Sequence, residues 1–217
     1  MGAPNLKQIY LFLYNAVQFS IHLFLFYYVI ATYIQGSYKW EDFAGLLKIG
    51  TAAQLMDIPH SLLGLTATSI PACLTQVLGR LTILYLVEGN PNRHDAFSTI
   101  LLLFAYMGVE LFRYPFYAVK SLGHEIPILT WLRYSVWMFF YPLGLSMEAV
   151  TMLTSVPYYY NSGRYSLPMP NALNFGFNMG VFLVLFVATC FWPISLFLMG
   201  HMNAQRKKKL FGKPKVN

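Results

Sequence analysis

A lone acidic residue, Glu148, lies deep in the apolar stretch Ile128–Leu153. The positions three and four residues away on either side hold Gly, Leu, Thr and Met, so no basic residue is a helical neighbour. A carboxyl group that is desolvated without a cation can exchange a proton near neutral pH. Glu148 is therefore a candidate for general acid–base catalysis, which needs a positioned proton donor or acceptor.

Tyr141 precedes Glu148 by seven residues, which is almost two helical turns. Both side chains should therefore share one helix face, roughly 10 Å apart along the axis. Pro142 removes a backbone hydrogen bond and can kink the helix, and Gly144 has no side chain to block the same face. The pattern predicts a slot between a phenol and a carboxyl group, although the same residues also occur in purely structural membrane helices.

Several other ionisable residues in apolar stretches form pairs that favour a structural role. A charge in a membrane span costs at least about 2.5–3.5 kcal/mol on insertion scales, so such charges need partners. Glu110 and Arg113 are three residues apart on one helix face and can pair, and Asp57 and His60 have the same spacing. Arg80 is predicted to neutralise one of these acids.

Six apolar stretches could each supply the roughly 20 residues that a helical membrane span needs. They cover Ile9–Ile34, Phe43–Leu65, Ile70–Val87, Phe97–Val119, Ile128–Leu153 and Phe177–Met199. Pro71 is placed to begin the third helix, and segment 155–176, rich in Tyr, Pro and Asn, is predicted to be the longest loop. The expected fold class is all-α, a polytopic membrane protein with six transmembrane helices.

The composition agrees with a membrane protein. Of the 217 residues, 57% are hydrophobic and only 11% are charged, whereas soluble domains carry about 25% charged residues. Cys73 and Cys190 lie in apolar runs and have neither disulfide nor metal-site spacing, so both are predicted to be small buried side chains. Cys and His do not cluster anywhere, and no metal is expected.

The net charge of +7 is concentrated near the carboxyl end. Segment 206–217 holds six basic residues: Arg206, Lys207, Lys208, Lys209, Lys213 and Lys215. With Lys7 and Lys120 they place eight basic residues on one side of the membrane, against Lys39, Arg93 and Arg164 on the other. Because cytoplasmic loops carry the excess of Lys and Arg, both termini are predicted to be cytosolic.

The chain is accordingly interpreted as a six-helix membrane catalytic domain over 1–205 and a basic cytosolic tail over 206–217. A basic tail can also indicate nucleic acid, but beside membrane spans it is more typical of a cytosolic helix end, so no nucleic-acid partner is expected. Lys213 and Lys215 are fifth and third from the end, which resembles the K-x-K-x-x retrieval signal of endoplasmic reticulum membrane proteins.

Several ordered segments carry a resemblance to one family. Residues 133–148 read RYSVWMFFYPLGLSME. This resembles the R-Y and Y-P-x-G-x-S-x-E pattern of the very-long-chain 3-hydroxyacyl-CoA dehydratases, also called protein-tyrosine-phosphatase-like membrane proteins. Segments 60–64, 76–80, 110–117 and 165–175 are similar too, and the resemblance covers most of the chain. Several motifs in matching order are more specific than any one of them.

The resemblance implies a hydro-lyase, with no cofactor, in the endoplasmic reticulum membrane. Its reaction would remove water from (3R)-3-hydroxyacyl-CoA to give trans-2-enoyl-CoA, the third step of fatty-acid elongation. The family's catalytic residues fall on Tyr141 and Glu148. Supporting roles in orienting the thioester or the catalytic pair are expected for Arg113, Tyr114, Tyr117 and Gly144. The expected partners are an acyl-CoA substrate, membrane lipid and other fatty-acid elongation enzymes.

Phosphatase chemistry is not expected, despite the family's second label. Ser61 stands where the family's phosphatase-like loop has a Cys after the His, so no thiolate is available to form a phosphocysteine. Cys73 and Arg80 are separated by six residues, whereas a tyrosine phosphatase needs five.

Dehydration of a 3-hydroxyacyl thioester needs a base that takes the hydrogen from C2 and an acid that protonates the departing 3-hydroxyl group. Glu148 is the favoured base and Tyr141 the favoured donor, and the opposite division stays open. Two other functions are weighed. A non-catalytic scaffold of the elongation assembly would not need both residues, and a transporter would be expected to show inverted repeats, which the sequence lacks.

Overall fold

The computed structural model describes residues 4–66, 69–172 and 174–212, and every regular element within them is helical. The α-helices are α1 (Leu6–Ile34), α2 (Trp40–Ala53), α3 (Asp57–Leu62), α4 (Ile70–Gly89), α5 (Phe97–Ser121), α6 (Pro127–Ser135), α7 (Trp137–Ser162), α8 (Met179–Phe186) and α9 (Trp192–Leu210). Short 3-10 helices cover Gln54–Met56 and Pro91–Arg93, and a π-helical segment, Val187–Phe191, joins α8 to α9. The predicted all-α class is confirmed.

Five helical segments are long and apolar enough to cross a membrane, so the chain is a multi-pass membrane protein. They are Leu6–Ile34, Ile70–Gly89, Phe97–Ser121, Pro127–Ser162 and Met179–Leu210. The predicted stretch Phe43–Leu65 is not among them, because the 3-10 helix Gln54–Met56 divides it into α2 and α3. Pro71 lies in the first turn of α4, as predicted.

Helix α5 occupies the centre of the bundle. Burial covers 67% of its most apolar stretch, against 22–39% in the other four spanning segments. Its neighbours include α1, α6 and α7. Because α5 is surrounded by other helices rather than lipid, it can carry Glu110 and Arg113 in its buried interior.

The predicted loop 155–176 is wrong in its first half, because α7 continues to Ser162. Tyr159 explains the extra length: its side chain is fully buried and its hydroxyl donates to the Leu86 carbonyl of α4 at 2.5 Å. The helix ends at Gly163, whose φ of 65° is a left-handed conformation that glycine adopts without strain. In the remaining loop, Leu167 and Phe177 form an isolated antiparallel bridge.

The two cysteines, both predicted to be buried, differ in their exposure. Cys73 is buried as predicted, whereas Cys190 is exposed on the outer surface of the π-helical segment, so its predicted burial is wrong.

Helix α9 runs without a break through the predicted boundary at residue 205 and ends at Leu210. Lys213 and Lys215, which carry the predicted retrieval signal, lie outside the described residues.

Candidate active site

A cavity of about 380 Å³ lies between α4, α5, α7 and the α8–α9 segment. Most of its lining is aliphatic or aromatic. The polar lining residues are Thr75, Gln76, Arg80, Thr82, Tyr106, Tyr141, Glu148 and Ser195. A largely apolar pocket with a few convergent polar groups is the usual form of a small-molecule site.

Helix α7 contributes the residues that the sequence singled out. Tyr141, Gly144 and Glu148 all line the cavity, so the prediction that they share one helix face is confirmed. A Cβ atom at Gly144 would lie 3.5 Å from the Ala105 Cβ, which is an ordinary contact. The absence of a side chain at Gly144 therefore leaves this space to the cavity, where α7 faces α5. Pro142 lies inside α7 and is exposed on its outer side.

The Glu148 carboxylate has a neutral partner. Tyr106 of α5 donates its hydroxyl hydrogen to Glu148 Oε1 at 2.6 Å, and the Tyr106 side chain is itself buried. No salt bridge to Glu148 is found in the described parts of the chain. The guanidinium of Arg80 lies 5.0 Å from the centre of the Tyr106 ring. Glu148 therefore faces the cavity without an ion pair.

Tyr141 also has a hydrogen-bond partner on another helix. Gln76 Nε2 of α4 donates to the Tyr141 hydroxyl oxygen at 3.1 Å. Because the amide is the donor, Tyr141 keeps its own hydroxyl hydrogen for another acceptor. The Trp137 ring packs edge-on against the Tyr141 ring at 5.9 Å between centroids. These contacts fix the phenol at the cavity wall with a free proton to donate.

A charged network, formed by Asp57, Arg80, Glu110 and Arg113, lies beside the cavity and reaches its wall at Arg80. Arg80 bridges to Glu110, and Arg113 bridges to Asp57. Arg113 also contacts Glu110 at 3.3 Å, which confirms the predicted pair on α5, and the prediction that Arg80 neutralises an acid is confirmed as well. His60 lies 4.0 Å from Asp57, so that predicted neighbour is the weaker partner.

The three remaining predicted site residues lie outside the cavity lining. Arg113 belongs to the charged network, and its side chain is only 7% exposed. Tyr114 is buried, and its ring packs against Tyr14 and His22 at 6.5 and 5.5 Å between centroids. The Tyr117 hydroxyl accepts a hydrogen bond from Arg133 at 3.4 Å. Of the predicted set, only Tyr141, Gly144 and Glu148 line this cavity.

Two residues at the site were not assigned a role from sequence, namely Tyr106 and Gln76. Tyr106 lies four residues before Glu110 and so shares its helix face, a local signal that could have drawn attention to it. Gln76 begins one of the segments that carry the family resemblance. In the described residues, no group of three or more His, Cys, Asp or Glu side chains is placed to hold a metal ion.

The chain matches known proteins over most of its length. A family model described as "Protein tyrosine phosphatase-like protein, PTPLA" matches residues 51–212. A Gallus gallus protein named very-long-chain (3R)-3-hydroxyacyl-CoA dehydratase is 33% identical over 213 residues, which cover 95% of this chain and 58% of the relative. A Mus musculus protein named very-long-chain (3R)-3-hydroxyacyl-CoA dehydratase 3 is 31% identical, with 99% and 62% covered.

A human relative matches over more of its own length. The Homo sapiens protein named very-long-chain (3R)-3-hydroxyacyl-CoA dehydratase 2 is 30% identical over 205 residues, covering 93% of this chain and 80% of that protein. The chain thus spans about three fifths of the chicken and mouse relatives and four fifths of this one. No solved structure matches the chain significantly. The family match covers three quarters of the sequence, and the chain therefore belongs to the protein tyrosine phosphatase-like (PTPLA) family.

Proposed function

We propose that this protein is a (3R)-3-hydroxyacyl-CoA dehydratase, a hydro-lyase that forms trans-2-enoyl-CoA during fatty-acid elongation. One observation carries the proposal: Tyr141 and Glu148 line the same largely apolar cavity, and among the described residues neither forms an ion pair with a cation. A fatty thioester is apolar along its tail and reacts at one polar point. Such a cavity, with a proton donor and a proton acceptor on one wall, suits that substrate. The names of the relatives supply the substrate class.

The hydrogen bonds favour one division of roles. Glu148 Oε1 accepts from Tyr106, which suits a carboxylate that takes the hydrogen from C2 of the substrate. Tyr141 accepts from Gln76 and keeps its own proton, which suits donation to the departing 3-hydroxyl group. The C2–H and C3–O bonds break, a C2–C3 double bond forms, and water leaves. A proton then returns from Glu148 to Tyr141 before the next turnover.

The proposed topology has six spans, with both termini in the cytosol. The sixth would be α2 and α3 with the 3-10 helix between them, which together cover Trp40–Leu62. At about 1.5 Å per residue, this stretch is long enough to cross a hydrocarbon layer of about 30 Å. The basic residues at the end of α9 would then lie at the face where the CoA nucleotide is held. Single-cysteine variants with cytosolic and lumenal labelling would test this arrangement.

The proposed location is the endoplasmic reticulum membrane, as the family resemblance implies. Other enzymes of fatty-acid elongation are the proposed partners, and membrane lipid surrounds the spanning helices. A tagged full chain should co-localise with markers of that membrane and co-purify with elongation enzymes in mild detergent. Localisation at the plasma membrane or mitochondria would contradict the proposal.

The direct test is to incubate the purified full chain with 3-hydroxyacyl-CoA thioesters of several lengths. The trans-2-enoyl-CoA should form without added metal or redox cofactor, and its ultraviolet absorbance and its mass are measured to detect it. The (3S) substrates serve as the control for stereochemistry. If no length yields an enoyl product from a folded protein, the dehydratase proposal fails and the scaffold alternative gains support.

A further inference from the structure

The cavity beside Tyr141 and Glu148 is closed at one end. Leu86 of α4, Met152 of α7 and Leu183 of α8 all line it, and each is only 2% exposed. Met152 follows Glu148 by one helical turn, which is about 6 Å along α7. An extended acyl chain advances about 1.25 Å per carbon for C–C bonds of about 1.5 Å. Only about five further carbons therefore fit between the proposed reacting carbons and this end.

A twenty-carbon acyl group has about seventeen carbons beyond C3, which extend about 21 Å at about 1.25 Å per carbon. The closed end lies only about 6 Å beyond Glu148 along α7. A long acyl tail therefore has to leave the cavity somewhere other than the closed end.

One side of the cavity is open at mid-membrane depth. Leu78 of α4 and Ile194 of α9 line the cavity, yet they are 49% and 37% exposed. Those fractions are similar to the 46% of Leu153, which is not part of the cavity lining. Gly79 and Thr82 complete this side on α4 and are also exposed. We name Leu78, Gly79, Thr82 and Ile194 the lateral window.

Gly79 makes the lateral window wide. A Cβ atom built on it would have no heavy atom within 4 Å, so the space beside this glycine is empty. Gly79 is nine residues from the start of α4, which is roughly 14 Å into a hydrocarbon layer of about 30 Å. An opening at this depth faces lipid tails rather than water or headgroups.

We propose that the acyl tail of a long substrate passes through the lateral window between α4 and α9 and lies in the surrounding bilayer. This inference rests on the proposed dehydratase function and concerns which acyl chains the site accepts. The cavity then holds only the thioester and the first carbons, and the closed end does not limit chain length. Transfer of the remaining methylenes costs little, because lipid tails and the cavity wall are both apolar.

The test is a graded series at the lateral window, Gly79→Ala, Gly79→Leu and Gly79→Trp, in the full chain. For each variant, kcat/KM is measured with 3-hydroxyicosanoyl-CoA and with 3-hydroxyoctanoyl-CoA. The ratio of the long to the short substrate should fall steadily along the series, by about tenfold or more at Gly79→Trp. An obstruction in the window blocks the long tail, whereas the short tail ends inside the cavity.

Two controls make the result specific. Gly45→Trp adds the same bulk at an exposed α2 glycine that also has empty space around it and does not line the cavity, so the ratio should stay within about twofold. Met152→Phe fills the closed end instead. If the ratio falls with Met152→Phe but not along the Gly79 series, the tail runs to the closed end and the window proposal is wrong.

Failure of the wider proposal would look different. A wild-type chain that dehydrates neither substrate would refute the dehydratase function itself. A wild-type chain that dehydrates both, with equal losses for both substrates at every Gly79 variant, would leave the function standing and overturn the lateral window.

Discussion

Glu110 and Glu148 are two glutamates inside the bundle, on the contacting helices α5 and α7, and their surroundings are opposite. Glu110 of α5 has no exposed surface and is held by Arg80 and Arg113. Glu148 of α7 lines the cavity and accepts one hydrogen bond from the neutral Tyr106. Depth in the membrane does not distinguish the two glutamates, since both lie inside long spanning segments. They differ in the side chains that bind their carboxylates.

The difference indicates what each acid can do. A carboxylate held by two guanidinium groups has its charge neutralised and its position fixed, which joins α4, α5 and α3 but leaves nothing to react. A carboxylate with a single neutral donor retains an oxygen that can take a proton from a bound molecule. Within one bundle, ion-paired acids hold helices together and unpaired acids at a cavity are the candidates for chemistry.

The largest expected effect is at Glu148. Glu148→Gln should abolish dehydration, a loss of about 10³-fold or more, because an amide cannot take the C2 hydrogen. The variant should accumulate in membranes like the wild type, since no ion pair is broken. Glu88→Gln is the matched control, since Glu88 pairs with Lys48 away from the cavity. The measurement is enoyl-CoA formation per amount of folded protein. Wild-type turnover in Glu148→Gln would contradict the assignment of Glu148 as the catalytic base.

Glu110→Gln should reduce the stability of the protein, whereas Glu148→Gln should reduce its activity. Removing this carboxylate leaves Arg80 and Arg113 without a shared counter-charge, which should lower the free energy of unfolding by about 3–5 kcal/mol. Thermal unfolding in detergent, compared with that of Glu148→Gln, checks this. The comparison breaks down if Glu110→Gln is as stable as the wild type, or if Glu148→Gln is the variant that unfolds.

Tyr141→Phe should reduce turnover by about 100-fold, because the proton donor to the leaving hydroxyl group is lost. The ring remains, so its packing against Trp137 and the stability of the protein should change little. Steady-state kinetics with one medium-length substrate provide the measurement. A variant with normal kcat but raised KM would instead make Tyr141 a binding residue.

Tyr106→Phe should give a smaller loss, about tenfold in kcat, since one hydrogen bond to the Glu148 carboxylate disappears. Tyr159→Phe is the matched control, because it also removes a buried tyrosine hydroxyl, one that donates to a backbone carbonyl instead. That control should cost about 1 kcal/mol of stability and leave kcat near the wild-type value. Equal losses of kcat in both variants would show that Tyr106 matters only for packing.

Interactions within one helix were predictable, and those between helices were not. The shared face of Tyr141 and Glu148 follows from their spacing, and so does the Glu110–Arg113 pair, since helical geometry alone fixes both. Tyr106 donates to Glu148 across 42 residues of sequence. No periodicity encodes that contact, which depends on how α5 and α7 pack.

The ends of the helices show the same division. The start of α5 at Phe97 agrees with the predicted stretch, because polar turn residues precede a long apolar run. The continuation of α7 to Ser162 was not predictable from composition, since it depends on the Tyr159 hydroxyl reaching the Leu86 carbonyl of α4. Likewise, the 3-10 helix Gln54–Met56 divides a stretch that was predicted to be one span although Lys48 and Asp57 interrupt it.

The π-helical segment Val187–Phe191 has a consequence for how relatives of this chain should be aligned. A π turn takes up one residue more than an α-helical turn with little change in the rotation of the helix that follows. Deleting a single residue from this segment should therefore return it to α-helix and leave Ile194 and Ser195 facing the cavity, whereas the same deletion within α8 would turn them by roughly 100°. A relative that is one residue shorter here should be aligned with its gap inside Val187–Phe191, which keeps the residues of this cavity wall matched.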